Sequence, residues 1–582
     1  MAQFDTVIKG GVIFDGTGQS RFIGDLGIKD GYITEIDRKG NIDPVFALEV
    51  IDARGLHVCP GFIDLHTHYD AQIQWDPYAT LSGWHGVTSI AIGNCGFGFA
   101  PVAPELRERA MLMMSRVEAI PFESMKLGMK WDWETFPEWL DHLERIPLGV
   151  NVLSYVPISP IMITVMGLED AKNREPTPAE IAEMCRLLEE GLDAGACGWS
   201  VQRLGKASAQ RDYDGTPMVT DEMSDDLCLA FAEVLARREE GAIQLTQTGG
   251  LRFVEKLAQV SGKPILYNAI QSHDKVPDSF RKILGWMHRT RDRGNDNIWG
   301  MAIFNGNEEY FSFDEYNLLD GSRAWREVTL GTVKERIEAM QNGENRRHLR
   351  NQFDAGRIPS VTGPVQDFKV DQTFRPENKK YEGRYLHEIA EQEGKHVIDA
   401  LLDLIISEEL KTVFHHRSFN EHPGYNKEIL DAEFTIPGVS DGGAHTKFIT
   451  AGKYPTDFLV NMVRRDGMLS LEEAHYRLSA LPARCAGFKD RGTLVAGAPA
   501  DILVYDYRNL KVTPDRPEVK YDFPGGAWRL VQYAEGYRYI MVNGEVTFKD
   551  GECTAATPGK LLRFGRASDQ SHGNRERTGS SL

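Results

Sequence analysis

The sequence predicts an α/β protein: a (β/α)8 barrel carrying a small β-sandwich domain formed by both chain ends. Three observations lead there. The middle of the chain alternates β-type apolar runs with amphipathic helical ones over several hundred residues, the pattern of parallel strands joined by crossover helices. Both ends read instead as short strands broken by Gly and Asp-Gly, as in "FDTVIKGGVIFDGTG" and "RYIMVNGEVTFKDGE". Finally, "GFIDLHTHYD", residues 61–70, closes an apolar segment with two histidines two apart, as the C-terminal end of a first barrel strand would.

In chain order, residues 1–57 are assigned to the β-domain through "FDTVIKGGVIFDGTG", "DLGIKDGYITEIDRKG" and "LEVIDARG". Residues 58–489 are assigned to the barrel. Its candidate strands include "GVTSIAIGNCGFG", "GVNVLSYVP", "AGACGWSVQRL", "GAIQLTQTGG" and "PILYNAIQSHD", with helices such as "PAEIAEMCRLLEEGLDAG" between them. Residues 309–410 break the rhythm with charged, aromatic and Gly-rich sequence, an insertion expected over the barrel mouth as a lid. Residues 490–565 return to strand-and-turn texture and complete the β-domain. The tail, 566–582, has little to bury; it is expected to be flexible or wrapped onto a neighbour in a homo-oligomer.

The bulk numbers exclude several classes. With 66 Lys and Arg against 85 Asp and Glu, the formal charge of −19 offers no basic footprint for nucleic acid. No apolar run reaches the roughly 18 residues a membrane span needs. The seven cysteines are odd in number and scattered, which argues against a disulfide framework. The start lacks the basic-then-apolar layout of a secretory signal, so the expected compartment is the cytoplasm and the expected partner a small molecule.

Alternation along a strand would point Asp64, His66, His68 and Asp70 one way. Cys95 closes the next candidate strand and Asp441, in "IPGVSDGGAH", the last. Imidazole, thiolate and carboxylate together suit Zn2+, which polarises carbonyls and makes hydroxide near neutral pH. Each alone has a plainer explanation. A His-x-His pair packs more often than it ligates, a strand-end Cys is usually a small core hydrophobe, and Ser-Asp-Gly-Gly is usually a turn or cap. Their joint placement at three strand ends favours the chemical reading. Among other residues, adjacent His415 and His416 can send only one ring into a barrel. Arg203 reads as an ion-pair partner, and Trp75 and Trp84 as pocket or core.

"LHVCPGFIDLHTHYD" resembles the first barrel strand of the amidohydrolase superfamily. "HGVTSIAIGNCGFGFAPV", "SDGGAH" and "VNGEVTFKDGECTAATPGKLLR" resemble, more specifically, the N-acyl-D-amino-acid deacylase (D-aminoacylase) family. The resemblance spans nearly the whole chain and is weak through 300–410. It implies hydrolysis of an amide C–N bond, a zinc ligand at Cys95 and a catalytic aspartate at Asp441.

The departures from that family are specific. Its fifth- and sixth-strand metal histidines align with Gln247 and Asn268, neutral amides that are poor zinc ligands. One zinc per chain is therefore expected, held by His66, His68 and Asp441 with Cys95 as a further ligand; His273 could complete the shell. Asp441 would take a proton from the attacking water and return it to the leaving nitrogen. Substrate contacts are expected from Tyr155, Gln247, Asn268, His273 and Lys447, with Lys447 near the position of a family arginine. An alternative is ring opening of a cyclic amide or hydantoin-like imide, although "ACGWSVQ" offers no lysine for a carboxylated metal bridge. From another class comes a metal-poor binding or assembly subunit that has lost catalysis.

Overall fold

A computed structural model describes residues 2–565, apart from 248, 274, 275, 277, 305–307, 315–318, 320, 357–363, 418, 419 and 489. The expectation for the tail, 566–582, lies outside the described residues.

The amino-terminal strands are β1 (Phe4–Ile13), β2 (Phe22–Lys29), β3 (Tyr32–Asp37), β4 (Ala47–Asp52) and β5 (His57–Pro60). After Gly61 alone, the chain enters β6 (Phe62–Asp64), followed by β7 (Val87–Ile92), β8 (Asn151–Ser154), β9 (Val156–Pro157), β10 (Gly198–Arg203), β11 (Ala242–Gln247), β12 (Ile265–Ile270) and β13 (Ile298–Ala302). Next come β14 (Glu308–Phe311), β15 (Lys369–Gln372), β16 (Val413–Arg417) and β17 (Thr435–Pro437). The carboxyl end holds β18 (Ile502–Tyr505), β19 (Lys511–Phe523), β20 (Ala527–Glu535), β21 (Tyr537–Val542), β22 (Glu545–Lys549) and β23 (Glu552–Cys553).

Two parallel sheets form the middle. One runs β6-β7-β8 and the other β17-β13-β12-β11-β10-β9, with only Tyr155 between β8 and β9. A parallel bridge pairs Thr67, beyond β6, with Gly442, beyond β17. All six residues of β7, "VTSIAI", are buried, because a parallel strand is covered on both faces. Helices cover the outside. Pro178–Ala194 starts on a Thr177/Glu180 capping box and stops at Gly195, whose φ of 112° suits glycine.

The chain ends share one nine-stranded sheet, ordered β23-β22-β21-β18-β5-β1-β2-β3 with β4 on β1. β5 pairs antiparallel with β18, so the sheet feeds directly into the first parallel strand. β19 and β20 form a separate hairpin.

The interruption after β13 has its own architecture. β14, β16 and β15 make an antiparallel sheet, packed with helices Arg323–Thr329, Leu386–Glu393 and Val397–Ser407 around Phe311, Trp325, Leu401 and Phe414. His415 and His416 lie on β16 in this sheet rather than on a parallel strand, so neither can face the inside of a barrel. The same apolar core includes Ala119 and Phe448, residues that adjoin the cluster described next.

Candidate metal centre

β6 ends at Asp64, and the chain then turns under the strand ends. The row of four converging side chains is therefore not formed. The buried Asp64 carboxylate accepts from the His66 backbone N–H at 3.2 Å, and Asp70 accepts from that of Gly93 at 2.9 Å. Both aspartates brace the loop, and burial pushes each carboxyl up to about 7.

His66 and His68 remain together. Their donor nitrogens and Cys95 Sγ lie within 4.8 Å of one another, all buried. Cys95 Sγ is 3.5 Å from His66 Nε2 and 3.3 Å from Thr246 Oγ1. Asp441 Oδ1 is 3.2 Å from His66 Nε2 and 3.8 Å from His68 Nε2. A tetrahedral shell with bonds of about 2.0–2.3 Å separates its donor atoms by about 3.3–3.8 Å. The three separations of 3.2, 3.5 and 3.8 Å fall on those edges, so His66, His68 and Cys95 fit a zinc-sized cation, with Asp441 within reach on the histidine side.

The set is held in strained backbone. Cys95, Asp441 and His445 have φ of 57°, 47° and 54°, left-handed values that each cost a non-glycine residue about 1–3 kcal/mol. Gly443 is required at φ 88°, where a Cβ would stand 2.7 Å from the His68 carbonyl oxygen. The glycine lets the last loop lie against the first, and the His68 N–H donates to Gly442 O at 2.7 Å.

The electrostatics separate the roles. Burial pushes Asp441 up, but the His66 hydrogen bond and the charges of His66, His445 and His68 outweigh it, leaving the carboxyl at about 2. Its side chain is 30% exposed against 2% for either histidine. Burial holds His68 down at about 3, keeping it in the neutral form that ligates metals. Burial raises the Cys95 thiol, helped by Glu118 and Asp441, so a bound cation would be what makes it a thiolate.

Two residues that the sequence reading did not single out complete the cluster. Glu118 follows the helix Arg107–Val117 and is 1% exposed, with Oε1 3.7 Å from His68 Nε2 and Oε2 3.3 Å from His445 Nε2. Burial, reinforced by Asp441 and Asp70, raises its carboxyl well above the usual range. His445 also stands 4.0 Å from Asp441 Oδ2.

The comparisons with known proteins bear on this cluster. The family model described as "Amidohydrolase family" matches residues 49–346 and 370–548. The chain belongs to the amidohydrolase family. It is accordingly an enzyme acting on C–N amide bonds. This amidohydrolase is 26% identical over 570 residues to the N-acyl-D-aspartate deacylase of Alcaligenes xylosoxydans xylosoxydans, covering 97% of this chain and 96% of that one. It is 29% identical over 583 residues to an uncharacterized protein of Mycobacterium tuberculosis, covering 94% and 92%. Its fold is similar to that of N-acyl-D-glutamate deacylase from Bordetella bronchiseptica, solved with zinc and a phosphonate inhibitor, at TM-score 0.63 and 22% identity over 96% and 99% of the chains. A D-aminoacylase structure studied for its binuclear metal centre gives TM-score 0.64 at 20% identity, covering 96% and 100%.

The remaining expected residues of this amidohydrolase divide. Asn268 is in the site: its side-chain amide contacts His66 Nδ1 and lies 3.4 Å from Thr246 Oγ1. The β11 side chains that reach Cys95 are Gln244, which accepts its N–H at 2.6 Å, and Thr246, at its Sγ, not Gln247. Gln247 is one position on and turns to Gly249 O (3.1 Å) and Arg203 (3.4 Å), as strand alternation requires. Tyr155 is fully buried in an apolar cluster with Leu153, Cys197 and Leu266, so the structure does not bring it to the metal residues. His273 sits on the loop after β12 with its ring 3.5 Å from Gln271. Lys447 Nζ lies 4.5 Å above the Trp528 ring of β20, and Leu530 N–H donates to Thr446 O at 2.7 Å, so the β19–β20 hairpin walls this side. Trp75 and Trp84 pack on the same hairpin, against Phe523 and Tyr533. Arg203 pairs with Asp225 at 2.6 Å.

Proposed function

We propose that this amidohydrolase is zinc-dependent and hydrolyses the C–N bond of an N-acyl-D-amino acid or a related amide. The observation that carries the proposal is the meeting of His66, His68 and Cys95 with Asp441 across the ends of β6, β7 and β17. The parallel pairings from β6 to β17 and the Thr67–Gly442 bridge support reading the framework as a (β/α)8 barrel with the site at its C-terminal mouth. Similarity to a deacylase of acylated D-aspartate supports the substrate class.

One zinc per chain is proposed at this position, with His66, His68, Cys95 and Asp441 as ligands; it supplies Lewis acidity to a carbonyl and to water. The chain's own groups do the rest. Asp441 is ionised at neutral pH and the most open of the four, so it takes the proton of the incoming water and delivers it to the leaving nitrogen. For His66 Nε2 to ligate, Nδ1 must carry the proton and donate. Asn268 Nδ2 stands against Nδ1 in the structure; with the amide flipped, Oδ1 accepts this proton and gains the partner it otherwise lacks. Lys447, whose Nζ lies 4.5 Å above the Trp528 ring, is read as the point charge for an acyl-amino-acid carboxylate. A single ammonium does not impose the bidentate geometry of arginine, so related amides belong to the proposal.

The test is zinc content together with amine release from N-acyl-D-amino acids, their L-isomers and a hydantoin. The expected result is one tightly held zinc, loss of hydrolysis on chelation, and recovery with zinc. Hydrolysis that persists after the metal is removed would overturn the proposal. Turnover of the hydantoin alone would move the substrate class to cyclic amides.

A further inference from the structure

We propose that Asp221 and Gln202 form a subsite beside the metal residues that takes a primary ammonium, so that the preferred N-acyl-amino-acid substrate carries a basic side chain. The inference rests on the amide hydrolysis proposed above and adds the substrate's side chain to it. The subsite shares one layer with the metal residues. Sheet register sets Gln202 of β10 beside Thr246 of β11, and Thr246 beside Asn268 of β12. Partners in a parallel ladder point their side chains the same way, about 4.8 Å apart. Thr246 Oγ1 is 3.3 Å from Cys95 Sγ and the Asn268 amide contacts His66, so Gln202 stands one strand along the same row. Ser200, two residues earlier on the same face, accepts from the Gly96 N–H at 2.9 Å, which lays the Cys95 loop against this end of β10.

Asp221 closes the row. It lies between β10 and the helix Asp225–Ala236 and is 5% exposed. Its Oδ1 accepts from the Leu204 N–H at 2.9 Å and from Gln202 Nε2 at 3.3 Å. The second contact fixes the amide, because only Nε2 can donate to a carboxylate. Gln202 Oε1 and Asp221 Oδ2 are then left buried without a hydrogen-bond partner among the described residues, as is Thr220 Oγ1 one residue before Asp221. The cations nearby are engaged elsewhere. Arg203 pairs with Asp225 at 2.6 Å and Lys206 with Glu222 at 2.9 Å. Arg211, whose charge favours the Asp221 carboxylate, donates to Lys206 O at 2.6 Å.

Buried acceptors are ordinarily satisfied, and a buried carboxylate is ordinarily paired. Two unmet oxygens, one of them on a carboxylate, call for a group that donates more than once and carries positive charge. A primary ammonium does both, with three donors and no acceptor. Lys447 lies on the β17 side of the site, and β13, β12 and β11 separate β17 from β10 in the sheet. A substrate held there by its carboxylate extends its side chain along the row, and the flexible four-carbon stem of lysine delivers an ammonium to Asp221.

The experiment compares kcat/KM of the zinc-loaded, full-length protein for Nα-acetyl-D-lysine and N-acetyl-D-norleucine, which share the four-carbon stem and differ by the ammonium. Wild type should prefer the lysine compound by about 10–100-fold, the size of one charge-assisted hydrogen bond. Asp221→Asn should bring that ratio close to one. A merely structural loss would lower both rates and leave the ratio standing. A wild-type ratio near one overturns the proposal and leaves the unmet oxygens to buried water. A folded Asp221→Asn that keeps the preference overturns it equally. Thermal melts report folding, and Gln202→Met, which removes the amide acceptor, carries the test if Asp221→Asn does not fold; its preference should shrink in the same direction. Failure of the proposed function looks different, because neither compound is then hydrolysed. Calorimetric binding of the same two compounds to wild type and variant would in that case decide the subsite, with the same preference expected.

Discussion

Asp441 combines a low proton affinity with a backbone conformation that few residues accept, and this permits a clean test of its role. Asn adopts φ near 47° as readily as Asp, so Asp441→Asn preserves the turn while removing charge and basicity. The expected outcome is a fall of about 10²–10⁴ in turnover from lost acid–base catalysis, with the melting temperature of the metal-free protein nearly unchanged. Lower stability with full turnover per folded molecule would instead make Asp441 a turn residue. Asn268 is testable by a different readout. Asn268→Leu keeps the volume but takes away the acceptor for His66 Nδ1, so zinc affinity should drop about 10–100-fold in competition with a chromogenic chelator. Unchanged affinity would show that Asn268 does not orient His66. At this scale the sequence was legible where residue type and strand end coincided, as at His66, His68, Cys95 and Asp441. Glu118 carried no such signal, because it follows a helix in a stretch without a strand. His445 stood in plain view four residues after Asp441, but only the fold of its loop turns its ring to Glu118. The one-residue phase that selects Thr246 over Gln247 depends on strand register, which residue types alone do not fix.

Among the elements, the short helix Leu471–His475 is tied to the terminal sheet through one side chain. His475 Nδ1 donates to Leu471 O at 2.6 Å, and Tyr505 of β18 donates its hydroxyl to Nε2 at 2.8 Å. This pairing needs the neutral ring, and burial holds its pKa down at about 3 from the ordinary 6.5. Because the unfolded chain binds the proton more readily, the stability contributed is complete above 6.5 and is lost as pH falls from there toward 3. His475→Gln removes that dependence. Wild type's advantage over the variant should therefore shrink by about 2 kcal/mol between about pH 7.5 and about pH 5, at about 1.4 kcal/mol per unit below 6.5. Parallel pH profiles in denaturant melts would rule this out. The strand-and-turn texture of the ends and the strand–helix alternation of the middle were readable because both rest on local periodicity. The inserted segment's sheet was not, since β14 and β16 lie about a hundred residues apart and such pairing leaves no local trace.

For the whole molecule, the question is whether the terminal sheet and the parallel strands are separate folding units. The covalent path argues that they are not, because β5 belongs to one and β6, one residue later, to the other. A buried polar network crosses the same boundary. Asp501, just before β18, pairs with Arg491 and accepts from the Asn151 side chain of β8 at 3.1 Å and from the Asn543 N–H at 2.7 Å. Asn543 in turn donates to Asn151 Oδ1 at 2.7 Å. The Arg491 and Asp501 side chains are 6% and 8% exposed, so neither charge has water to fall back on. Asp501→Ala leaves the guanidinium with only the exposed Asp490 carboxylate, 3.9 Å from its Nε, and strips a bond from both Asn151 and Asn543. Breaking a buried pair in this way costs about 3–5 kcal/mol, a large share of the about 5–15 kcal/mol that holds a domain folded. Because the network spans the boundary, the loss should appear as one unfolding transition shifted as a whole, followed in parallel by tryptophan fluorescence and far-ultraviolet circular dichroism. A variant in which the two signals separate, with the parallel-strand region surviving after the terminal sheet has melted, would show two units joined by a linker and would place Asp501 in only one of them.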